Sequence, residues 1–399
     1  MSAQVRFALL AVGAVLVIAG CGGPEERKAS YLAKAQDHIQ EENLPKARVA
    51  LRNVLKIDPK DAQAYYLIAE VEEKEKNWRE AFANYLRVVE LVPDHEKALL
   101  KLAKFYLQAG AIDQVAETAQ KVLDKNPTQV EARTLKIAVQ AVRGDREGAL
   151  AAAEALAQEH PTDPDAATLL ATLYLAVGRT KDVEPVMQRA IDANPTNLQL
   201  LDSFASALVR LEKFDRAEAV LKQIIEAEPK NLDHRIRLAG FYDERRRFDD
   251  AESVLREVIR LDPENEQRYL ALVKFQYARK GAAEAEATLT GAQKSLPKSP
   301  ALRFALGELY ELNRQPEKAR AVYEQARSDF RGKPAEQEAK VKVAAIDWSG
   351  GKREEAEKLL AEVLKENAHM PQALLLRGKI AMQQGRAKDA IQDFRSVLK

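Results

Sequence analysis

The sequence predicts an all-α protein built as a solenoid of about eleven helical hairpins. Three observations predict this class. Prolines recur every 34 residues, small residues recur at the same period, and Gly and Pro are otherwise sparse, at 17 and 16 of 399 residues. A repeated hairpin cannot bury its apolar face alone, so we expect consecutive hairpins to stack into one extended array.

The charge balance and the single cysteine exclude several kinds of site. Lys and Arg total 62 and Asp and Glu total 61, so the net charge is +1. No basic excess exists to neutralise a phosphate backbone, and we expect no nucleic-acid partner. Cys21 is the one cysteine. An intramolecular disulfide and a cysteine-rich metal site are therefore excluded.

Residues 1–20 are predicted to be a lipoprotein signal peptide, in which Arg6 precedes an uncharged stretch that ends at Gly20. The stretch suits a signal-peptide core better than a membrane span of about 20 residues. Ile18-Ala19-Gly20-Cys21 resembles the bacterial lipobox, whose cysteine is lipidated and becomes the new N-terminus. The alternative is a buried apolar helix with an incidental cysteine, which this position and these flanks disfavour.

The resemblance implies an anchor with several acyl chains on Cys21, which holds a protein at a membrane stably without a membrane-spanning helix. Gly22 follows the cysteine where an Asp indicates retention in the inner membrane. We therefore expect the bacterial outer membrane, facing the periplasm. Residues 21–27 form a short linker, so the array should lie close to the lipid surface.

The period is clearest in the prolines, which lack the N–H of a helix interior and bias the preceding residue away from helix. Each one is predicted to close a hairpin. They are Pro59, Pro93, Pro127, Pro161, Pro195, Pro229, Pro263 and Pro297.

Two columns of small residues predict close approach of the paired helices. The first column is Ala35, Ala69, Ala103, Ala171, Ala205, Ala239, Gly307, Ala344 and Gly378, with Ile137 and Val273 as exceptions. The second column is Ala47, Ala81, Ala149, Ala217, Ala251, Ala285, Ala319, Ala356 and Ala390, with Val115 and Val183 as exceptions.

This combination of period, small residues and closing proline resembles the tetratricopeptide repeat over residues 28–399. The resemblance implies a right-handed superhelical solenoid. Its units are expected to start near residues 28, 62, 96, 130, 164, 198, 232, 266, 300, 337 and 371, the last being incomplete.

The regular spacing changes near the C-terminal end of the array. Pro334 follows Pro297 by 37 residues, so we expect an insertion near 328–336 that changes the superhelical path. The last unit leaves Ile391, Phe394 and Val397 without a following neighbour. Because solenoids normally end in a polar cap, the chain is expected to be part of a longer protein or to be covered there by a partner.

No sequence motif for catalysis is present. The five histidines lie in five different units without metal-ligand spacing, and no phosphate-binding loop or nucleophile elbow occurs. An open solenoid also supplies no closed pocket for paired acids and bases. We expect no enzyme activity, no metal and no cofactor.

The resemblance implies that the first helices of successive units line a concave groove that binds a segment of another protein. The groove residues implied here are Tyr66, Lys74, Lys104, Arg210, Lys274, Tyr277 and Trp348. The Asn and Lys clamp of co-chaperone members is absent. Its Asn column reads Gln36, Glu70, Lys104, Ala138, Thr172, Ser206 and Gly240. Trp78 is expected in the core, whereas Trp348 is compatible with either core or partner binding.

The segments 24–28 and 43–48 are similar to tetratricopeptide lipoproteins of PEP-CTERM/exosortase systems. That resemblance implies a membrane-anchored protein–protein interaction scaffold that supports exopolysaccharide synthesis or export. Two alternatives stay open: an assembly adaptor for outer-membrane proteins or pili, and the substrate-selecting part of a longer enzyme.

Overall fold

Helices follow one another along residues 23–398, the part of the chain that the computed structural model describes, and no strand occurs in that part. There are 22 of them, which confirms the predicted all-α class. The first twelve are α1 Pro24–Gln40, α2 Leu44–Ile57, α3 Ala62–Lys74, α4 Trp78–Leu91, α5 Glu96–Gln108, α6 Ile112–Lys125, α7 Val130–Val142, α8 Arg146–Glu159, α9 Pro164–Ala176, α10 Thr180–Ala193, α11 Leu198–Arg210 and α12 Phe214–Ala227. The other ten are α13 Leu232–Glu244, α14 Phe248–Leu261, α15 Glu266–Arg279, α16 Ala282–Ser295, α17 Pro300–Leu312, α18 Pro316–Asp329, α19 Pro334–Ser349, α20 Arg353–Glu366, α21 Pro371–Gln383 and α22 Ala387–Val397.

Most first helices of the hairpins begin after a polar loop residue whose side chain accepts a hydrogen bond from a free N–H group of the first turn. Asp61 accepts from the Ala64 N–H at 2.8 Å, and Asp163 accepts from the Ala166 N–H at 2.9 Å. The closing prolines therefore stand in loops that also carry the cap of the next helix. Helix boundaries are set locally, residue by residue.

The turn inside most hairpins contains one residue in the left-handed backbone region. Glycine occupies it at Gly110, Gly144 and Gly178, with φ between 70° and 102°. Other hairpins place a side chain there, as at Lys76 with φ 63° and Arg314 with φ 56°. A residue with a Cβ adopts this conformation at a cost of roughly 1–2 kcal/mol, so these turns store some backbone strain.

Among the described residues the chain divides into two compact units, 23–220 and 221–398. Within each unit the two helices of a hairpin pack against each other, as α3 does on α4 and α17 on α18. First helices of successive hairpins also touch, as α7 does with both α5 and α9 in the first unit. The first helices therefore share one face of the stack.

The small columns lie where the paired helices approach most closely. Ala35, Ala47, Ala69 and Ala81 are all 0% exposed. Where the first column has glycine, an aromatic ring fills the space: a Cβ on Gly307 would come within 2.2 Å of the Tyr323 ring. Gly378 stands in the same way against Phe394, at 2.5 Å. Residue volumes are thus matched across each hairpin.

The predicted insertion is accommodated inside a helix. α19 has 16 residues, whereas α17 and α21 each have 13. Because α19 starts at Pro334, one period after Pro300, the additional residues lengthen the helix and leave the loop before it unchanged.

One tryptophan prediction was wrong. Trp78 is 56% exposed, because it is the first residue of α4 and stands at the hairpin turn, outside the packed interface. Cys21 and the predicted signal peptide lie outside the described residues. Within residues 23–398, no helix has the length and apolar character needed to cross a membrane.

Candidate functional site

The predicted groove residues lie on first helices, as the repeat pattern requires, but their environments differ. Lys74 and Arg210 are exposed last residues of α3 and α11, and Lys274 and Tyr277 are exposed on α15. Trp348 is half-buried on α19, where its Nε1 donates to Gln383 Oε1 at 2.6 Å and its ring packs against the core of the second unit. Their role in binding stays a prediction.

Tyr66 is a buried residue, 7% exposed, and not a surface anchor. Its ring packs edge-on against Tyr85 at 5.6 Å and stacks on His95 at 5.2 Å. His95 also caps α5 by accepting from the Ala98 N–H at 3.2 Å. The Tyr66 ring therefore lies in the packed interior with only its hydroxyl near the groove carboxylates, and the role of Tyr66 in partner binding stays a prediction.

A charged cluster surrounds Tyr66 on the first-helix face of the first unit. We call it the groove site and define it as Tyr66, Glu70, Glu73, Lys101, Lys104, Glu131 and Asp165. These residues come from α3, α5, α7 and α9. Tyr66, Glu70 and Glu73 are spaced by four and then three residues, which places them on one face of α3.

Two ion pairs cross between neighbouring helices in the groove site. Lys101 Nζ lies 2.5 Å from Glu73 Oε2, and Lys104 Nζ lies 2.7 Å from Glu131 Oε1. Glu70 and Asp165, in contrast, have no cation at ion-pair distance among the described residues. The site thus holds four carboxylates against two ammonium groups, and the charge of Lys97 acts on Glu70 from beyond ion-pair distance.

The pKa shifts show that these charges act on one another. Burial raises the pKa of the Glu70 carboxyl and of the Asp165 carboxyl, and Lys101 and Lys104 respectively oppose the shift only in part. Burial also acts against the charge of Lys104, but the hydrogen bond to Glu131 and the charge of Asp165 outweigh it and raise its pKa. Burial and then Glu70 raise the pKa of the Tyr66 hydroxyl.

Tyr85 lies directly beneath this cluster. It is 0% exposed, and its hydroxyl oxygen has no hydrogen-bond partner of ordinary geometry. Burial first, and then the charge of Glu73, raise the pKa of the Tyr85 hydroxyl. Since a buried hydroxyl without a partner costs about 1–3 kcal/mol, this position is energetically unfavourable as it stands.

The acidic residues of the groove site were missed by the sequence-based selection, which favoured aromatic and basic residues. A signal for two of them existed, because Glu70 and Glu73 share a helix face with Tyr66. No comparable signal existed for Glu131 and Asp165. They reach the site only because α7 and α9 pack beside α5 and α7.

Other clefts lie between successive helices, and their polar groups bind one another. One cleft of about 520 Å³ is lined by Glu154, Tyr174, Arg179 and His160. Tyr174 donates to Glu154 Oε1 at 3.1 Å, and Arg179 donates to the same oxygen at 2.6 Å. Among the described residues no group of His, Cys, Asp and Glu side chains is arranged to hold a metal ion.

Fold and repeat pattern together define a helical-repeat protein of the kind that binds other proteins. Models of the tetratricopeptide repeat match residues 32–96, 208–274, 271–335 and 346–399, and a model of the N-terminal repeat region of Psidin matches residues 101–233. The chain belongs to the tetratricopeptide-repeat family.

Several solved structures are similar to this chain. A Naa15/Naa10 complex bound to HypK-THB is 14% identical with a TM-score of 0.45, and the match covers 92% of this chain and 62% of that one. PilF of Pseudomonas aeruginosa is 18% identical with a TM-score of 0.38, over 53% of this chain and 97% of its own. A tetratricopeptide repeat protein of Parabacteroides merdae is 18% identical with a TM-score of 0.33, over 62% and 97%. No curated protein sequence matches the chain.

Proposed function

We propose that this protein is a non-catalytic scaffold of the bacterial envelope that binds other proteins through its first-helix face. The observation that carries the binding role is the groove site, where Glu70 and Asp165 are partly buried carboxylates without a cation. Partly buried carboxylates of this kind lower the stability of the free protein and can pair with a cation of a bound protein. Destabilising charged groups are typical of functional surfaces.

The envelope location rests on the sequence of the N-terminus. We propose a signal peptide over residues 1–20 and lipid on Cys21. The predicted linker over residues 21–27 is corrected, because α1 begins at Pro24, and the repeat array follows from there. Lipid and groove then have complementary roles, because the lipid fixes the location and the groove recruits proteins to it. The proposed cellular location is the outer membrane, with the protein facing the periplasm.

The process served is proposed from the likeness to lipoproteins of PEP-CTERM/exosortase systems in residues 24–28 and 43–48. On this proposal the protein organises components of exopolysaccharide synthesis or export.

The anchor is tested by growing cells with an alkyne-bearing fatty acid and comparing the wild type with Cys21→Ala. We expect the wild type to carry the label and to sediment with outer membranes, and the variant to do neither. Unlabelled wild-type protein in the soluble fraction would exclude the lipid anchor.

The scaffold role is tested by crosslinking in cells, affinity purification from membranes and mass spectrometry, again with Cys21→Ala as the control. We expect polysaccharide-export components in the wild-type sample and their loss from the control. Recovery of soluble cytoplasmic proteins alone, unchanged by the substitution, would contradict both the scaffold and the export proposals.

A further inference from the structure

The excess of carboxylates in the groove site indicates the charge of the missing partner. Glu73 and Glu131 are paired with Lys101 and Lys104, whereas Glu70 and Asp165 are partly buried carboxyl groups with no cation at ion-pair distance. A further negative charge beside Glu70 or Asp165 would be unfavourable, because it would repel these carboxylates. A cation beside them would be favourable, because it would offset the free-energy cost of burying them. The net charge of the whole chain is only +1, so this preference is local to the site.

The buried hydroxyl of Tyr85 is an independent observation at the same place. It faces the carboxylates of Glu73 and Glu70, which both raise its pKa, and yet no acceptor stands in ordinary hydrogen-bond geometry to it. Glu73 is the nearest acceptor, but with Lys101 Nζ at 2.5 Å from its Oε2 it does not reach the Tyr85 hydroxyl in ordinary hydrogen-bond geometry. The site is therefore incompletely satisfied in the free protein.

A second copy of this arrangement occurs in the second unit, seven periods of 34 residues further along the chain. Phe304, Glu308, Glu311 and Tyr323 occupy the repeat positions of Tyr66, Glu70, Glu73 and Tyr85. Lys342 occupies the position of Lys101 once the three additional residues of α19 are allowed for. Lys101 Nζ lies 6.0 Å from the centre of the Tyr85 ring, and Lys342 Nζ lies 5.7 Å from the centre of the Tyr323 ring.

The two copies differ in which glutamate the lysine holds. In the second unit Lys342 Nζ binds Glu308 Oε1 at 2.7 Å, and Tyr323 donates its hydroxyl proton to Glu311 Oε1 at 2.5 Å. In the first unit the lysine holds the other glutamate, Glu73, and Tyr85 has no acceptor in ordinary hydrogen-bond geometry. The second copy shows that a cation on the first glutamate leaves the second one free for the tyrosine.

We infer that the groove site binds an extended segment of a partner protein through its basic side chains, one cation pairing with Glu70 and another with Asp165. This inference rests on the proposed protein-binding function and specifies the chemistry of the partner. The cation on Glu70 takes the position that Lys342 has on Glu308. Lys101 stays on one oxygen of Glu73, and with Glu70 neutralised the other oxygen of Glu73 accepts the hydroxyl proton of Tyr85, as Glu311 accepts that of Tyr323.

The probe for this inference is a fluorescein-labelled peptide of twelve residues, with three arginines separated by serine and glycine. Its first twin carries citrulline, which keeps the shape and removes the charge, and its second twin carries glutamate. Binding to the purified mature protein is measured by fluorescence anisotropy at low salt. We expect the arginine peptide to bind at least about tenfold more tightly than either twin, since a charge-assisted pair contributes about 1.5–3 kcal/mol.

Variants of the site are compared with a matched substitution outside it. Glu70→Gln and Asp165→Asn are expected to weaken binding of the arginine peptide by roughly threefold to tenfold each. Glu117→Gln removes the same charge from α6, where Glu117 pairs with Lys121 on the exposed surface, and is expected to leave the affinity unchanged. Equal binding of the citrulline peptide, or equal effects of all three substitutions, would overturn the inference. So would tighter binding of the glutamate peptide, which would assign the site to an acidic segment held by Lys101 and Lys104.

Tyr85→Phe tests the change of hydrogen-bond partner separately. The substitution removes a hydroxyl that is unsatisfied in the free protein, so the unfolding temperature should not fall. Affinity for the arginine peptide should fall by roughly threefold, because the Tyr85–Glu73 hydrogen bond of the complex is lost. Unchanged affinity in a folded variant would overturn the proposed pairing of Tyr85 with Glu73.

The crosslinking experiment separates this inference from the scaffold role. Membrane partners that are captured equally by the wild type and by the Glu70→Gln, Asp165→Asn double variant would overturn the basic-segment inference and leave the scaffold standing. Partners lost from the double variant, and retained by Glu117→Gln, would support both.

Discussion

At the scale of single residues, the molecule contains charges that favour folding and charges that oppose it. Lys121 holds the pKa of the exposed Glu117 carboxyl below its usual range, so that ion pair favours the folded state slightly. Burial raises the pKa of Glu70, so ionisation of Glu70 opposes folding at neutral pH. The same residue type thus has opposite effects on an outer helix and on the groove face.

Glu70→Gln should therefore raise the unfolding temperature at neutral pH, because the amide removes a charge that burial disfavours. The folded-state pKa of Glu70 is raised, so its cost is present above that pKa and disappears as the pH falls through it. The difference between variant and wild type should shrink on acidification. Thermal unfolding followed by circular dichroism from neutral to acidic pH measures this.

Glu117→Gln serves as the control and should show the opposite sign. Its folded-state pKa is lowered, so its small stabilisation is present at neutral pH and is lost as the pH falls through that pKa. If both substitutions changed the unfolding temperature in the same direction at neutral pH, the assignment of an unfavourable charge to Glu70 would be wrong.

At the scale of the hairpin, two features decide stability: the backbone of the turn and the volume between the paired helices. The turn after α3 forces Lys76 to φ 63°, where several other hairpins have glycine. Between the helices, Gly307 admits the Tyr323 ring and Ala69 packs in a cluster with Tyr85. Both features are local, and each can be changed without touching the groove face.

Lys76→Gly should stabilise the protein by about 1 kcal/mol, because glycine adopts the left-handed region without the Cβ penalty. Lys74→Gly is the matched control: it removes the same side-chain type from the last residue of α3, and should destabilise by about 0.5–1 kcal/mol. Urea unfolding gives both free energies. A destabilised Lys76→Gly variant would show that the Lys76 side chain matters more than its backbone.

Gly307→Ala should destabilise the second unit by about 1–3 kcal/mol, because the new Cβ meets the Tyr323 ring, at 2.2 Å before any relaxation. Adding Tyr323→Leu reproduces the pairing of Ala239 with Leu255 at the same repeat positions and should recover part of the loss. A double-mutant cycle in urea measures the coupling. Simple additivity of the two substitutions would contradict volume matching.

At the scale of the whole molecule, each hairpin depends on its neighbours, and the chain has two compact units. The second unit contains a strong link between hairpins: Arg320 binds both oxygens of Asp347, at 2.7 and 3.0 Å, and Asp347 is 2% exposed. Removing the arginine leaves a buried carboxylate with only Lys352 Nζ near it, at 3.9 Å, which costs several kcal/mol. In a solenoid such a loss should spread only as far as the neighbouring repeats.

Arg320→Ala is therefore expected to destabilise the second unit by about 3 kcal/mol while leaving the first unit intact. Amide hydrogen exchange followed by mass spectrometry reports each region separately. Protection should fall in peptides from α17 to α20 and stay unchanged in peptides from α3 to α8. Uniform loss of protection along the chain would show that the array unfolds as one cooperative body.

The sequence predicted the fold of the protein more completely than it predicted the surroundings of individual side chains. Proline spacing and small residues were enough to predict the all-α class and the pairing of helices, because these signals act within one hairpin. They were not enough to predict the burial of Trp78. Its repeat position is that of an aromatic packing residue, but at the start of α4 its side chain is 56% exposed. Position in a repeat indicates a helix face and not the neighbours that cover it.

The sequence by itself determined the all-α repeat architecture, and lipid attachment at Cys21 stays a prediction from it. Only the tertiary structure decided that Glu70, Glu73, Glu131 and Asp165 meet around Tyr66, and that Tyr85 lacks the acceptor that Tyr323 has in Glu311. The physical reason is the distance along the chain over which each kind of interaction acts. Helix signals act over a few residues of backbone, whereas the charges of the groove site come from four helices and meet only when their hairpins stack.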